Sequence, residues 1–100
     1  MREKDVEEYL RDQVKALGGK AYKFVSPGNA GVPDRMVCLP GGGVAFVELK
    51  APGKKPTPLQ EAQHRKMRNL GLSVFVLDSK LGVDLFINMV KPWLTKVRTE

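Results

Sequence analysis

The sequence predicts an α/β domain: one mixed sheet of four short strands flanked by three helices, in the order α-β-β-β-α-β-α. Three observations carry this reading. Apolar residues recur every three or four positions near both ends of the chain, as on one face of a helix. Between them lie short runs rich in Val, Phe and Leu, bounded by Gly and Pro. A strand-helix-strand unit then follows a hairpin, which sets a parallel pair beside an antiparallel one and puts helices on the faces of the sheet.

Each element has its own warrant. Val6, Leu10, Val14 and Leu17 recur at steps of four, four and three and predict a helix of about 15 residues, which Gly18-Gly19 ends. Ala21 to Val25 alternates weakly and reads as a strand, and Ser26 to Gly31 as a loop. Asp34 to Leu39 is the second strand, Pro40 to Gly43 its turn, and Val44 to Lys50 the third strand. The third strand is apolar on both faces until Glu48 and Lys50, as expected of a central strand covered on both sides. Ala51 to Pro58 is a loop. Thr57 is the N-cap and Pro58 the first residue of a helix that runs to about Leu70, where Gly71 ends it. Ser73 to Leu77 is a fourth strand. Ser79 caps a last helix to about Lys91, with Val83, Phe86, Ile87 and Val90 as its apolar positions. One domain, residues 1–91, is expected, followed by a tail, residues 92–100, in which Trp93 and Leu94 could dock.

Composition narrows the function classes. One hundred residues give room for one modest core. No apolar run approaches the ~20 residues that cross a bilayer, and Arg2-Glu3-Lys4-Asp5 does not open a signal peptide. The single cysteine, Cys38, excludes an intramolecular disulfide and reads as core filler in an apolar strand. An intracellular, cytoplasmic location is expected. The net charge is +6, and it is unevenly placed. Residues 1–20 carry five charges of each sign, whereas residues 50–68 carry Lys50, Lys54, Lys55, Arg65, Lys66 and Arg68 against Glu61 alone. Such an excess suits a polyanion, the competing reading being a merely solvated basic helix.

The chemistry concentrates in Asp34 and Glu48-Leu49-Lys50. Side chains alternate along a strand, so Glu48 and Lys50 share a face. A hairpin whose paired residue numbers sum to 82, with its turn on Gly41, sets Asp34 opposite Glu48; a slip of one residue would put the two acids on opposite faces. Two carboxylates and an amine so placed suit a hard divalent cation beside a water nucleophile. A carboxylate buried in a covered strand is costly unless paired or metal-bound, which is the main physical argument for Glu48. Lys50 has two open roles: offsetting the charge that develops on phosphate, or holding the attacking water after losing its proton. Asp34 taken alone would read as a turn residue.

Four further residues have two readings each. Glu7, with Glu3 next, lies beside the apolar stripe of the first helix and could reach the site, or could pair with a neighbouring surface charge. Gln60 completes a capping box with Thr57, or orients water or phosphate. His64 lies one turn after Gln60 and could contact phosphate, or is simply exposed. No His/Cys cluster has zinc spacing, and Gly41-Gly42-Gly43 lacks the lysine of a phosphate-binding loop.

In order, the chain carries Gly18-Gly19, Lys23-Phe24, Ser26-Pro27-Gly28, Gly31-Val32-Pro33-Asp34-Arg35, Val47-Glu48-Leu49-Lys50-Ala51-Pro52, Pro58-Leu59-Gln60 and Gly71. This series resembles the VRR-Nuc domain, the virus-type replication–repair branch of the PD-(D/E)xK nucleases, over about residues 1–90. The resemblance implies a restriction-endonuclease-like core and an endonuclease, dependent on Mg²⁺ or Mn²⁺, that acts on structured DNA. It implies metal ligation by Asp34, Glu48 and the carbonyl of Leu49, a catalytic Lys50, and support from Glu7 and Gln60. DNA contacts are expected from Lys54, Lys55, His64, Arg65 and Arg68, with Ser26 and Arg35. Stand-alone members of phage and bacterial type resemble Holliday-junction resolvases, which implies a homodimer on a four-way junction, in a bacterial or phage-infected cell. The dimer surface stays open in the sequence, with the last helix and Trp93 and Leu94 as its candidates. Two alternatives are kept: flap cleavage or nicking by the same chemistry, and a non-catalytic module that binds structured DNA.

Overall fold

The computed structural model describes residues 1–94. Its elements are α1 (Glu3–Ala16), β1 (Lys20–Lys23), β2 (Arg35–Cys38), β3 (Val44–Leu49), α2 (Pro58–Asn69), β4 (Val74–Leu77) and α3 (Lys80–Val90), with a 3₁₀ turn at Lys91–Trp93. The four strands form one sheet in the order β1-β2-β3-β4. β1, β2 and β3 pair antiparallel in turn, and β4 joins β3 in parallel through α2. Helix and strand order match the expectation from sequence, with ends moved by one or two residues.

Strand alternation sorts the side chains into two layers. Val37, Ala45, Val47 and Leu49 face α1 and α3, where they pack with Val6, Leu10, Val14, Val83, Phe86 and Val90. Phe46 faces the other way, toward Met67 of α2, with Phe24, Val32 and Met36 around it. β3 is therefore covered on both faces, and from Ala45 to Leu49 every residue is buried. Each side of this layer is apolar enough to hold its helices by removing hydrocarbon from water.

Two glycines allow close approaches that set the site. A Cβ at Gly19 would lie 2.5 Å from the carbonyl oxygen of Cys38, so the chain can leave α1 and pass directly onto the sheet only with glycine here. Gly31 has φ +92° and would place a Cβ 2.9 Å from the carbonyl oxygen of Leu59. The loop before β2 thus rests on the first turn of α2. The Thr57 hydroxyl caps that turn by accepting from the Gln60 N–H, and Ser79 does the same for α3 through Gly82.

Trp93 and Leu94 dock against the core as the sequence allowed, half-buried, with the indole 6.4 Å from the Phe75 ring. Residues 95–100 of the expected tail lie outside the described residues. The reading of Cys38 as core filler is corrected: it is half-buried, because it ends β2 beside the hairpin turn, opposite the exposed Val44. No helix among the described residues is long and apolar enough to cross a membrane.

Candidate active site

The hairpin register is the one that sets the two acids face to face. Arg35 pairs with Val47 and Cys38 with Val44, so one further step places Asp34 opposite Glu48. Asp34 is fixed there at both ends. Its carbonyl accepts from Phe24 N–H at 2.8 Å, and its carboxylate Oδ2 accepts from Leu49 N–H at 2.8 Å. Pro33 before it is fully buried and holds the entry to the strand extended.

Glu48 is 1% exposed. It points to the α2 face, the same side as Phe46. Its Oε2 receives the Gln60 Nε2 at 3.4 Å and faces the Lys50 Nζ at 3.6 Å. Its Oε1 has no hydrogen-bond partner and faces His64 Nε2 at 3.5 Å, an atom likewise without one. Burial, then the neighbouring charge of Asp34, push the Glu48 carboxyl up to about 8, and Lys50 opposes this only in part. Burial, with the charges of Arg68 and Lys50, pushes His64 below its ordinary 6.5, so at pH 7 the ring is neutral. The His64–Glu48 contact is therefore not an ion pair of full charges.

Gln60 closes the capping box expected of it and also contacts Glu48. Its Oε1 accepts from Thr57 N–H at 2.9 Å, closing the capping box, while its Nε2 reaches Glu48. One amide ties the start of α2 to the buried acid of β3.

Asp34, Glu48, Lys50 and Gln60 thus come together. Other expected site residues do not join them. Glu7 is drawn to Arg35, whose guanidinium donates to its Oε1 at 2.6 Å and to the carbonyl of Ala21 at 3.3 Å. Arg35 shares the face of Val37 and Val47, opposite to Glu48, so strand alternation keeps Glu7 and the Asp34–Glu48 pair on different sides of the sheet. The same pairing corrects Arg35 as a DNA contact: its side chain is 13% exposed and is turned inward. His64 is corrected too. It is 1% exposed and cannot lie on a phosphate at the surface. The missed signal was its spacing: Gln60, His64 and Met67 follow at steps of four and three, which is one inward stripe of α2.

The remaining cations are where charge can be presented. Lys54, Lys55, Arg65 and Lys66 are exposed, and Arg68 is exposed although it donates to the carbonyl of Val74 at 2.8 Å. Ser26 is half-buried, and its hydroxyl accepts from Asn29 within the loop. Among the described residues no three His, Cys, Asp or Glu side chains cluster as metal ligands. The side-chain oxygen donors of the site are therefore the two carboxylates, Asp34 and Glu48.

Comparison with known proteins places this geometry. No family model matches the chain. "Putative nuclease p44" of Acyrthosiphon pisum secondary endosymbiont phage 1 is 55% identical over 80 residues, covering 80% of this chain and 86% of that protein. A solved structure described as a VRR_NUC domain superposes with a TM-score of 0.81 at 39% identity, over 86% of this chain and 94% of that one. A shared sheet, an Asp and a Glu-x-Lys brought together on it, and identity at this level over most of both partners have one reading: the chain belongs to the VRR-Nuc family of nucleases.

Proposed function

We propose that the chain is a divalent-metal-dependent DNA endonuclease selective for structured DNA, four-way junctions foremost, acting as a homodimer. The observation that carries the metal is Glu48: a fully buried carboxyl beside a second carboxylate, with one oxygen lacking any partner. Such a group is costly in a protein that only binds phosphate and is relieved by a hard cation. Two carboxylates with a backbone carbonyl suit Mg²⁺, which keeps several of its waters and takes few protein ligands. Asp34, Glu48 and the carbonyl of Leu49 would hold it, and when bound it would supply a Lewis acid and an acidified water.

The chain's own residues do the rest. Asp34 is held on Leu49 N–H, so its free oxygen is aimed and does not wander. Gln60 restrains Oε2 of Glu48. The Lys50 ammonium stands on the same face, placed to offset charge that builds on the phosphoryl oxygens as water adds to phosphorus and the ester P–O bond opens. Lys54, Lys55, Arg65, Lys66 and Arg68 hold the sugar-phosphate backbone, which selects shape and not base identity.

The test is cleavage of labelled duplex, 5′-flap, splayed-arm and four-way-junction DNA with Mg²⁺, Mn²⁺ or chelator, using wild type and Lys50→Ala. Paired nicks in the junction alone, lost with chelator and with Lys50→Ala, are expected. Flap cleavage would replace the junction assignment, and tight binding without cleavage of any substrate would sink the catalytic one.

A further inference from the structure

His64 is the one group in the active-site region that the proposed chemistry leaves without a task. It is fully buried on α2, and its Nε2 has no hydrogen-bond partner. A buried nitrogen with no partner is unusual, because it forfeits its hydration and receives nothing in return. The atom it faces, Oε1 of Glu48, is in the same condition 3.5 Å away. Two adjacent orphans of complementary type, a ring nitrogen and a carboxylate oxygen, form a pair held just beyond bonding distance. An N–H···O bond is ordinarily 2.7–3.2 Å long, so a shift of about 0.5 Å closes it.

The other oxygen of Glu48 is restrained by Gln60, and Gln60 and His64 stand one turn apart on the same helix. α2 therefore presents two side chains to the two oxygens of one carboxylate. Gln60 is itself fixed by the capping box with Thr57, and His64 by its burial above β3. That makes a clamp on the acid.

Resting on the metal-nuclease reading above, we infer that His64 is a positioning residue. It donates an Nε2–H bond to Oε1 of ionised Glu48 and fixes the carboxylate in the orientation that meets the cation. It touches neither the cation nor DNA. Metal-ligating groups are commonly oriented by such outer partners, whose removal weakens metal binding or activity by about 10–100-fold.

The test compares three substitutions. His64→Leu fills much of the same space with no donor. His64→Met is the unbranched alternative should the leucine variant not fold. His64→Gln returns an N–H near the position of Nε2. Folding is checked by circular dichroism and thermal melting. Mn²⁺ binding is then measured by the electron-paramagnetic-resonance signal of the free ion, and cleavage of the preferred DNA is measured at saturating substrate.

The donor-less variant is expected to bind Mn²⁺ about 10-fold more weakly and to lose at least 10-fold in kcat, with KM for DNA within about 3-fold of wild type. His64→Gln is expected to recover most of both losses. A folded donor-less variant that binds Mn²⁺ and cleaves like wild type overturns the inference, as does failure of His64→Gln to recover anything. Wild type that binds Mn²⁺ but cuts no DNA would defeat the nuclease reading while leaving His64 to be judged on Mn²⁺ binding alone. Wild type that binds no Mn²⁺ overturns both.

Discussion

At the scale of single residues, Glu48 governs what can be measured. Its carboxyl ordinarily titrates near 4.5 and in the folded protein near 8. The folded state thus holds a proton that the unfolded chain has released between those values. Stability of the metal-free protein is expected to rise as pH falls from 8 toward 4.5, by at most about 1.4 kcal/mol per pH unit from this group. The gain is complete below 4.5 and is lost as pH rises through 8. Melting curves in chelator between pH 5.5 and 8.5 check this: Glu48→Gln is expected to flatten the trend, and millimolar Mg²⁺ to flatten it in wild type. A slope of the opposite sign would mean that Glu48 is ionised in the metal-free fold. Asp34→Asn is expected to lower cleavage by at least 100-fold while DNA binding holds or tightens, because it removes a negative charge beside phosphate; gel shift and cleavage run on one preparation would show it.

At the scale of elements, the first turn of α2 is where fold and site meet. Gly31 rests on the Leu59 carbonyl, and Gln60 in the next position both caps the helix and holds Glu48. Gly31→Ala combines a strained φ with a backbone clash, and is expected to cost about 1–3 kcal/mol by denaturant unfolding. It should also reduce cleavage, since the turn that carries Gln60 must move. Gln60→Glu separates the two tasks. Glutamate keeps the capping box, so the melting temperature should stay close to wild type, but it adds a third carboxylate facing Glu48 and should lower cleavage. Loss of stability without loss of cleavage would reverse that assignment.

The register of β2 and β3 was compatible with the sequence, through the clustered turn glycines and the placing of the two acids, but was not required by it. Caps at Thr57 and Ser79 were legible for local reasons. His64 and Glu7 were not. Each depends on which helix covers which face of the sheet, a long-range fact that charge and propensity do not encode. A histidine among basic residues looks solvated until the stripe through Gln60 and Met67 is seen against β3.

For the whole molecule, one exposed apolar stripe stands out among the described residues. Leu81, Leu85 and Met89 follow at steps of four along α3 and are all more than half exposed, while the opposite side of that helix fills the core. With Trp93 and Leu94 docked on the core, this stripe is the more exposed part of the candidate dimer surface among the described residues. Leu85→Arg is expected to turn a dimer into a monomer by multi-angle light scattering, to change thermal stability little, and to convert paired junction nicks into single ones. A dimer that persists in that variant moves the contact elsewhere.

The buried carboxyl has a consequence for the history of such chains. A group kept dry, partnered on one oxygen only and lodged in an inner strand is a standing liability, which the proposed metal would relieve. Where a lineage is released from cutting, replacing this acid by a neutral or apolar residue of similar size is expected to leave the fold as firm or firmer. Descendants that keep the sheet and the cationic surface while losing the acid would then arise by drift alone. Within this family, the state of that one codon should therefore separate working cutters from retired ones more sharply than the preservation of the fold around it.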